Sequence, residues 1–367
     1  MALEIADQTP LAPLTTLELG GAARHLVTVA DEESALEALR WAGARDLPIF
    51  VLGGGSNVVI SDAGFPGLVI RVALRGLAFD REGEGDRTIV RVAAGEPWDA
   101  VVAETVRRGL GGLECLSGIP GLAGATPIQN VGAYGQDVSE TIVSVRAVDR
   151  CSALPLDVVE LPAAACAFAY RDSAFKRQPD RWLVLGVTFA LSAGGVPVVR
   201  YPELANALSA RTAAPTLADV RDTVVALRRA KSMVIDPADP NRRSVGSFFT
   251  NPVVSTAEAD RLVAQLLAER IVADAGAVPR FPAGAARVKL SAAWLIERAG
   301  LSKGLREGAV GISSRHTLAL VHHGGGTTAQ LLAFAERVRD TVERRFGVRL
   351  QREPVQVPSV DPLAAEL

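Results

Sequence analysis

The 367-residue sequence predicts a protein of mixed α and β structure with two or three domains. Its length exceeds what one hydrophobic core usually serves, since domains commonly hold roughly 100–200 residues. Segments with the apolar spacing of amphipathic helices alternate with short apolar runs typical of buried strands. A chain of this size and pattern is compatible with an active site between domains.

The charge balance, and the lack of a recognisable signal peptide or membrane-spanning segment in the sequence, disfavour several classes of protein. Lys and Arg total 39 against 41 for Asp and Glu, and no basic block follows the pattern of a nucleic-acid-binding surface. We expect no nucleic-acid partner. The first ten residues lack the basic start and apolar core of a signal peptide, and no apolar run approaches the ~20 residues that span a bilayer. We therefore expect a cytoplasmic protein without membrane insertion.

The cysteines and paired histidines do not predict a metal site. The three cysteines, Cys115, Cys151 and Cys166, lack Cys-x-x-Cys spacing, and we expect them to be small buried hydrophobic residues. His322 and His323 precede three glycines, but no carboxylate or cysteine is spaced to complete a metal site. We expect these histidines to be loop residues and no metal to be bound.

The first predicted elements follow a nucleotide-binding order. Asp31 is a good N-cap for a helix that carries Ala35, Leu36, Leu39 and Ala42 on one face and ends at Gly43. The apolar run Leu47 to Leu52 predicts a buried strand, Gly53 to Asn57 a turn, and Val58 to Ile60 a second strand.

A second group of signals predicts a β connection, a helix and a binding loop. The β-rich runs Leu68 to Val72 and Ile89 to Ala93 flank the polar stretch Asp80 to Arg87, which predicts a hairpin or a longer β connection. Pro97 begins a short helix that ends at Gly109. The segment Gly109 to Gly135 is too rich in glycine for regular structure, and it suits backbone close to a ligand.

The remaining signals predict three strands, a hinge and a helical C-terminal part. Strands are expected at Ile142 to Val148, Trp182 to Leu191 and Val348 to Val355, a hinge at Asp236 to Pro240, and a loose tail after Pro358. Helices are expected before Lys231 (Val220, Val224, Leu227), near Leu262 to Leu267, from Ser291 to Ala299, and along the stripe Leu331, Ala335, Val338, Val342 and Phe346.

The turn Gly53-Gly54-Gly55-Ser56-Asn57 has two interpretations. Successive N–H groups of a glycine turn form a concave nest for an anion, and Ser56 and Asn57 could add side-chain donors. The pattern is neither GxGxxG nor GxxxxGK[ST], so neither a Rossmann nor a P-loop assignment follows. The alternative is a tight turn between two strands.

Several motifs together resemble one family. They are Leu52 to Asn57, Gly118-Ile119-Pro120-Gly121, Pro127 to Gly135 (PIQNVGAYG), Tyr170-Arg171-Asp172-Ser173, Gly246-Ser247-Phe248-Phe249 and Glu353-Pro354. In this order, from about Leu14 to Val355, they resemble UDP-N-acetylenolpyruvoylglucosamine reductase, an NADPH-dependent flavoenzyme of peptidoglycan precursor synthesis.

The resemblance implies an α+β fold of the vanillyl-alcohol-oxidase type that binds FAD noncovalently. It implies FAD-binding subdomains at 1–75, with 354–367 as an optional completion, and at 76–235, followed by a substrate-binding domain at 236–353. Insertions near 153–155 and 273–284 resemble loop variation. The implied FAD contacts are Gly53, Gly54, Gly55, Ser56, Asn57, Gly118, Ile119, Pro120, Gly121, Thr126, Gln129, Asn130, Gly132, Ala133, Tyr134 and Gly135.

The reaction implied by the resemblance is reduction of an enolpyruvyl ether to a lactyl ether, which forms UDP-N-acetylmuramate. Hydride addition pushes charge toward the substrate carboxylate, and an arginine fork suits that charge. The resemblance assigns this role to Arg171 and the proton donor to Ser247. Glu353 would either orient the intermediate or, if protonated, donate a hydrogen bond or proton. Taken alone, these residues could equally form a surface ion pair, a turn and an exposed acid.

The resemblance also implies contacts with the sugar nucleotide. Tyr201 matches the tyrosine loop of the family's longer type, which covers the substrate diphosphate. Lys231 and Asn251 match sugar-nucleotide contacts, while His316 is either a core histidine or a contact at the substrate or nicotinamide pocket.

Two other functions remain in competition. A sugar or alcohol oxidase of the same fold often attaches FAD through histidine, but the glycine-rich segments contain none. A nucleotide-sugar binding protein that has lost catalysis would lack at least one of Arg171, Ser247 and Glu353, and all three are present.

Overall fold

The computed structural model describes residues 3–81, 86–152, 156–209 and 213–358. The helices are α1 (Glu32–Gly43), α2 (Trp98–Arg107), α3 (Ala174–Arg177), α4 (Pro202–Leu208), α5 (Leu217–Ala230), α6 (Thr256–Ala268), α7 (Ala292–Arg298) and α8 (Thr328–Phe346). The strands are β1 (Ile5–Pro10), β2 (Ala22–Val29), β3 (Ile49–Leu52), β4 (Val58–Ile60), β5 (Phe65–Val72), β6 (Leu77–Arg81), β7 (Arg87–Ala93), β8 (Leu110–Gly111), β9 (Gly132–Ala133), β10 (Gln136–Asp137), β11 (Ile142–Asp149), β12 (Asp157–Pro162), β13 (Trp182–Ala193), β14 (Val253–Ser255), β15 (Arg280–Pro282), β16 (Arg287–Leu290), β17 (Arg306–Glu307), β18 (Val310–Ile312), β19 (Leu320–His322) and β20 (Val355–Val357).

The chain forms two compact units. Unit 1 comprises 1–14, 21–56 and 63–235, and unit 2 comprises 15–20, 57–62 and 236–367. The predicted boundaries at residues 75 and 353 remain a prediction. No helix within the described ranges is long and apolar enough to cross a membrane.

Unit 1 contains two larger sheets. The first has the strand order β1-β2-β5-β3, with β1 antiparallel to β2 and the other pairs parallel. The second is antiparallel with the order β12-β11-β13-β7-β6, and β8 also pairs with β13. One hydrophobic cluster contains buried residues from both sheets and from α1 and α2, including Ile70, Val90, Leu39 and Trp98.

Unit 2 assembles smaller sheets around its helices. Its sheets are β14-β16-β15, β17-β18-β19 and the parallel pair β20-β4, in which Val355 lies opposite Val58. The core residues Leu17, Leu19 and Val59, which come from the N-terminal third of the chain, belong to the same cluster as residues of α6, α7 and α8.

The strongest local signals predicted helices correctly. Asp31 and Ser34 form the capping box of α1, and Ala35, Ala38, Leu39 and Ala42 are buried at helical spacing. The apolar stripe of α8 is likewise buried, and Gly347 ends that helix in the left-handed region at φ 65°.

Some β predictions were wrong. Of the two alternatives for 68–93, a direct hairpin between the runs at 68–72 and 89–93 is wrong, because these runs belong to different sheets. The longer β connection is present, since β6 lies between them and forms a hairpin with β7. The final strand is β20 and not Val348 to Val355, since Pro354 has no N–H for a ladder and regular pairing begins at Val355. The segment Gly109 to Gly135 was predicted to lack regular structure, but it includes β8, β9 and two 3-10 turns.

Three further expectations need correction or lie outside the described residues. The 273–284 insertion is more than loop variation, since it contains a 3-10 turn and β15, which pairs with β16. Cys151 is exposed in the turn after β11, whereas Cys115 and Cys166 are buried. His322 is a buried strand residue and not a loop residue. The insertion at 153–155 and the tail after Pro358 lie outside the described residues.

Candidate functional site

The glycine turn Gly53 to Asn57 follows β3, and its residues Gly53, Gly54 and Ser56 pack against the second predicted glycine segment. A Cβ atom on Gly54 would lie 2.8 Å from the Gly121 Cα, closer than real Cβ contacts allow. The Ser56 hydroxyl donates to the Pro120 carbonyl at 3.2 Å. The two segments therefore meet within unit 1, as the predicted FAD contacts require.

The backbone of these turns supports the ligand-binding interpretation. Gly55, Gly118 and Gly121 have φ of 65°, 69° and 119°, a region that favours glycine. The buried Nδ2 of Asn57 has no hydrogen-bond partner among the described residues. A buried donor without a protein partner is costly unless a ligand or water satisfies it. The glycine backbone of unit 1 fits a polar cofactor such as a dinucleotide, and the Asn57 Nδ2, which belongs to unit 2, is available to a polar ligand or water.

Gly118 is held by a carboxylate that the sequence did not single out. Its N–H donates to Asp99 Oδ1 at 2.6 Å, and Arg221 binds both Asp99 oxygens at 2.7 and 2.9 Å. Burial alone would raise the Asp99 pKa, but the Arg221 and Gly118 hydrogen bonds outweigh it and the pKa is lowered. The Gly118 amide is thus already bonded to Asp99, so Gly118 would contribute close backbone approach to a cofactor.

The other predicted FAD contacts divide into structural and accessible groups. Thr126 is buried and its hydroxyl donates to the Ala123 carbonyl at 2.8 Å, while Gly132 and Ala133 form β9. Gly53, Ile119, Pro120, Gln129 and Ala133 are among the partly buried members, and Gly135 is exposed with φ 80°. Sequence position alone does not separate these groups.

Arg171 is bound to the neighbouring loop through its guanidinium. Its Nη2 donates to the Gly132 carbonyl at 2.6 Å, and its Nη1 donates to the Asn130 carbonyl at 3.3 Å. Its backbone is in the left-handed region at φ 54°, and Lys176 Nζ donates to its carbonyl at 2.8 Å. Two predicted FAD contacts, Asn130 and Gly132, therefore orient the Arg171 guanidinium.

The predicted substrate contacts Tyr201 and Lys231 cluster around Tyr134, which was predicted as an FAD contact. The rings of Tyr134 and Tyr201 meet edge to face with centroids 5.6 Å apart. Lys231 Nζ lies 5.6 Å from the Tyr134 ring centre and 2.6 Å from a Glu203 carboxylate oxygen. Burial raises the pKa of Tyr134 to about 12, so its hydroxyl remains protonated at neutral pH.

Arg228 is an additional cation beside this cluster. Its side chain lies against Gly118, and its Nη2 donates to the Met233 carbonyl at 2.7 Å. Its buried Nε has no hydrogen-bond partner among the described residues. Burial lowers its pKa to about 10, which leaves it charged at neutral pH. The sequence could have indicated that Arg221 and Arg228 share one face, because they are two turns apart on the predicted helix.

Ser247 and Glu353 are neighbours in unit 2. The Glu353 N–H donates to the Phe248 carbonyl at 3.0 Å, and Phe249 pairs with Arg352 in an isolated antiparallel bridge. The segment after Ser247 therefore runs beside the segment that contains Glu353, although 105 residues separate Phe248 from Glu353 in sequence. The structure places Ser247 and Glu353 on adjacent backbone segments of unit 2, whereas Arg171 belongs to unit 1.

Asn251 and His316 have local roles in unit 2. The Asn251 Oδ1 accepts the Ala292 N–H at 2.9 Å at the start of α7. The Nδ1 of His316 accepts the Leu318 N–H at 3.2 Å. Among the described residues, no group of three or more His, Cys, Asp or Glu side chains could hold a metal.

Comparisons with known proteins agree with these motifs. A family model described as an FAD binding domain matches residues 23–152. A model described as the C-terminal domain of UDP-N-acetylenolpyruvoylglucosamine reductase matches residues 237–357. These two matches confirm the predicted FAD-binding class of the α+β fold.

Curated relatives match almost the whole chain. The UDP-N-acetylenolpyruvoylglucosamine reductase of Thermobifida fusca is 49% identical over 97% of this chain and 99% of its own length. That of Saccharopolyspora erythraea is 50% identical over 95% of this chain and 94% of its own length. The crystal structure of the Thermus caldophilus reductase has a TM-score of 0.63 at 25% identity, covering 98% of this chain and 100% of that chain.

Proposed function

Because this chain belongs to the UDP-N-acetylenolpyruvoylglucosamine reductase family, we propose that Arg171, Ser247 and Glu353 divide the chemistry of reduction among them. The chain is an FAD-dependent oxidoreductase that reduces UDP-N-acetylenolpyruvoylglucosamine in peptidoglycan precursor synthesis. The contact between the Gly54 turn and the Gly121 turn is the observation that most directly supports the cofactor assignment.

The FAD would be held by the two glycine segments. Gly54, Gly55 and Gly121 offer backbone without side chains, and Asn57 offers a buried donor. When bound, FAD supplies hydride transfer between a nicotinamide reductant and the substrate. The backbone carbonyls around Arg171 belong to the same glycine-rich segment, so cofactor and arginine share one support.

Arg171 would stabilise the substrate carboxylate as its charge increases. A guanidinium carries a permanent positive charge and presents donors in a plane that matches a carboxylate. The Asn130 and Gly132 carbonyls fix the orientation of that plane before substrate binds. Such preorganised charge stabilises the transition state more than the ground state.

Ser247 would then donate a proton to the carbon that carries the ether oxygen. A serine hydroxyl is a weak acid, so it can act only toward a strongly basic enediolate. Gly246 precedes it with φ 71°, which defines the turn that presents Ser247. Glu353 lies on the adjacent segment, and we propose that it orients the intermediate or the donor.

The Tyr134 cluster would bind the diphosphate of the sugar nucleotide. Tyr201 supplies a hydroxyl, and Lys231 supplies a point charge that is now paired with Glu203. Arg228 adds a buried cation whose Nε still needs a partner. For Asn251 and His316 the proposed substrate contact rests on motif position. The Asn251 Oδ1 already accepts the Ala292 N–H at the start of α7, so the Asn251 Nδ2 would be the atom that contacts the substrate.

We also propose NADPH as the reductant and the cytoplasm as the location. The family resemblance implies NADPH, and a nicotinamide reductant accompanies the reductase activity of the relatives. A UDP-linked sugar and a nicotinamide dinucleotide are both metabolites of the cell interior, which supports the location.

Purification followed by a direct assay of NADPH oxidation tests the function. We expect a yellow protein that releases its flavin on denaturation and sustains NADPH turnover only when the enolpyruvyl sugar nucleotide is present. A protein that cannot be loaded with FAD, or NADPH oxidation that ignores this substrate, would contradict the proposal. Oxygen consumption with simple sugars would favour the oxidase alternative.

Ser247→Ala tests the proton donor. Flavin reduction by NADPH should stay within about twofold of wild type, while product formation falls by roughly 10²–10⁴-fold. Stopped-flow absorbance and product chromatography measure the two steps. Ser302→Ala, an exposed serine of the same unit, is the matched control and should change neither. A defect confined to flavin reduction would refute this role for Ser247.

A further inference from the structure

Glu114 is a fully buried carboxylate that the reaction does not explain. It begins the 3-10 turn Glu114–Leu116 and has 0% exposure. Its Oε1 accepts the Val198 N–H at 2.8 Å, and its Oε2 accepts the Gly112 N–H at 2.7 Å. Each carboxylate oxygen therefore bonds a different backbone segment. A buried carboxylate persists only where hydrogen bonds replace the lost water.

The adjacent Cys115 binds the same residue, Val198, through its carbonyl group. Its Sγ donates to the Val198 carbonyl at 3.1 Å, and its backbone N–H donates to Gln136 Oε1 at 3.0 Å. Burial raises the pKa of the Cys115 thiol to about 12, so it remains a hydrogen-bond donor. Both polar groups of Val198 are thus bonded to the turn.

The segment held at Val198 leads directly to Tyr201. Residues 195–200 form neither helix nor strand, and Val196 is 88% exposed. Tyr201 then caps α4, whose Leu204 and Leu208 cluster with Cys115 and Tyr134. The Arg200–Glu140 ion pair is exposed, so it contributes little to fixing this segment.

The same turn also supports the cofactor segment. The Trp98 indole N–H donates to the Leu116 carbonyl at 3.1 Å, and the Ser117 hydroxyl donates to the Glu114 carbonyl at 2.7 Å. Gly118, with its bond to Asp99, follows immediately. One short turn therefore anchors both the second glycine segment and the chain that presents Tyr201.

We propose that Glu114 is a positioning residue that holds Tyr201 against Tyr134 and thereby sets the affinity for the sugar nucleotide. This inference rests on the proposed role of Tyr201 in substrate binding. Glu114 acts through Val198 and does not contact the reacting atoms. The Glu114 carboxylate bonds Val198 and Gly112, whereas Asp99 and Trp98 hold the cofactor segment, so loss of the carboxylate should weaken substrate binding while leaving cofactor reduction unchanged.

Glu114→Gln is the first test, because it retains size while replacing one acceptor with an NH₂ group that would face an N–H donor. We expect the KM for the enolpyruvyl sugar nucleotide to rise by roughly tenfold, with kcat and flavin reduction by NADPH within about twofold. Hydrogen exchange at the Val198 amide should accelerate. Thr105→Val, which removes a buried hydroxyl bond within α2, is the control and should leave KM unchanged.

A double-mutant cycle with Tyr201→Ala identifies the path of the effect. If Glu114 acts through Tyr201, Glu114→Gln should add little to the KM of Tyr201→Ala, because the shared interaction is already lost. Additive effects, or an equal loss of flavin reduction and kcat, would overturn the proposal. No KM change in Tyr201→Ala alone would instead refute the proposed role of Tyr201.

Cys115→Ala provides a second variant should Glu114→Gln fail to fold. It removes only the Sγ bond to the Val198 carbonyl and leaves the carboxylate in place. A smaller rise in KM, of about twofold to fivefold, and the same lack of additivity with Tyr201→Ala are expected. An unchanged KM with unchanged Val198 exchange would count against the proposal.

Discussion

Three non-glycine residues of the predicted site have left-handed backbone conformations. Asn130, Tyr134 and Arg171 have φ of 43°, 49° and 54°. Each such residue costs on the order of 1–3 kcal/mol, so surrounding bonds must maintain it. For Asn130 they are the bond from its Nδ2 to the Ala169 carbonyl and the bond its Oδ1 accepts from Ser139. The strain is concentrated where Arg171 must be oriented.

Arg171→Lys tests whether the guanidinium plane matters beyond its charge. Lysine keeps the positive charge but cannot reproduce a planar fork held by two carbonyls. We expect kcat to fall by roughly 10²–10³-fold while flavin reduction by NADPH is retained. Arg177 lies on α3 and forms an exposed ion pair with Asp172, so Arg177→Lys should change kcat by less than about twofold. Similar rates for both variants would show that charge alone suffices.

The cysteines give a prediction about accessibility. Burial raises the pKa of Cys115 to about 12 and of Cys166 to about 11, so both thiols are almost entirely protonated at pH 8. Cys151 is exposed. Iodoacetamide should therefore label one thiol in the native protein and three in guanidinium chloride, as measured by intact mass. Rapid native labelling of Cys115 would contradict its assigned environment.

At the scale of elements, the contact between the two glycine turns can be tested by a matched pair of variants. Gly54→Ala places a Cβ 2.8 Å from the Gly121 Cα, so the turns must separate, and we expect most bound FAD to be lost on purification. A Cβ on Gly53 would find its nearest neighbour at 3.9 Å, so Gly53→Ala should retain FAD. Flavin absorbance per protein measures the outcome. Equal FAD content in both variants would argue against this packing.

Asp99 should make FAD retention sensitive to acid. Its pKa is lower in the folded protein, so its stabilising contribution is complete above the unfolded value of about 4 and is lost as pH falls through the lowered pKa. Asp99→Asn should therefore raise the Kd for FAD by roughly fivefold at pH 7. Its FAD affinity should then fall less than that of wild type as the pH is lowered below about 4, as measured by fluorescence titration. Parallel pH profiles would contradict the role of Asp99.

At the scale of the whole molecule, unit 2 is completed by two distant parts of the chain. Leu17, Leu19 and Val59 lie in its core, and β4 pairs with β20. The Asp62 carboxylate also accepts the Thr328 and Ala329 N–H groups at the start of α8, at 2.7 and 2.9 Å. Residues beyond 235 therefore do not contain all of their own core.

A fragment of residues 236–358 should accordingly fail to fold stably. Burial of each leucine or valine side chain stabilises by roughly 1.5–3 kcal/mol, and three such residues approach the whole stability of a small domain. Circular dichroism and thermal unfolding would reveal this loss. Addition of a peptide covering 57–62 should restore part of the structure. Cooperative unfolding of the fragment alone at the temperature of the full chain would refute this expectation.

Local signals predicted several elements well because their causes are local. The α1 capping box and the buried stripe of α8 depend on residues within a few positions of each other. Strands β1, β2 and β12 were not predicted, because their stability depends on partners elsewhere in the chain. The β20 boundary was predicted too early since its pairing begins only after Pro354.

The motif order of the sequence by itself determined the family, the FAD-binding class and the catalytic candidates Arg171, Ser247 and Glu353, since motifs preserve the residue types that chemistry requires. Only the tertiary structure decided which of these residues lie together. It placed Ser247 beside the Glu353 segment, the Gly54 turn against Gly121, and Glu114 between two site segments. The physical reason is that hydrogen bonding and close packing act between atoms within a few ångströms, whereas sequence separation leaves those distances undetermined.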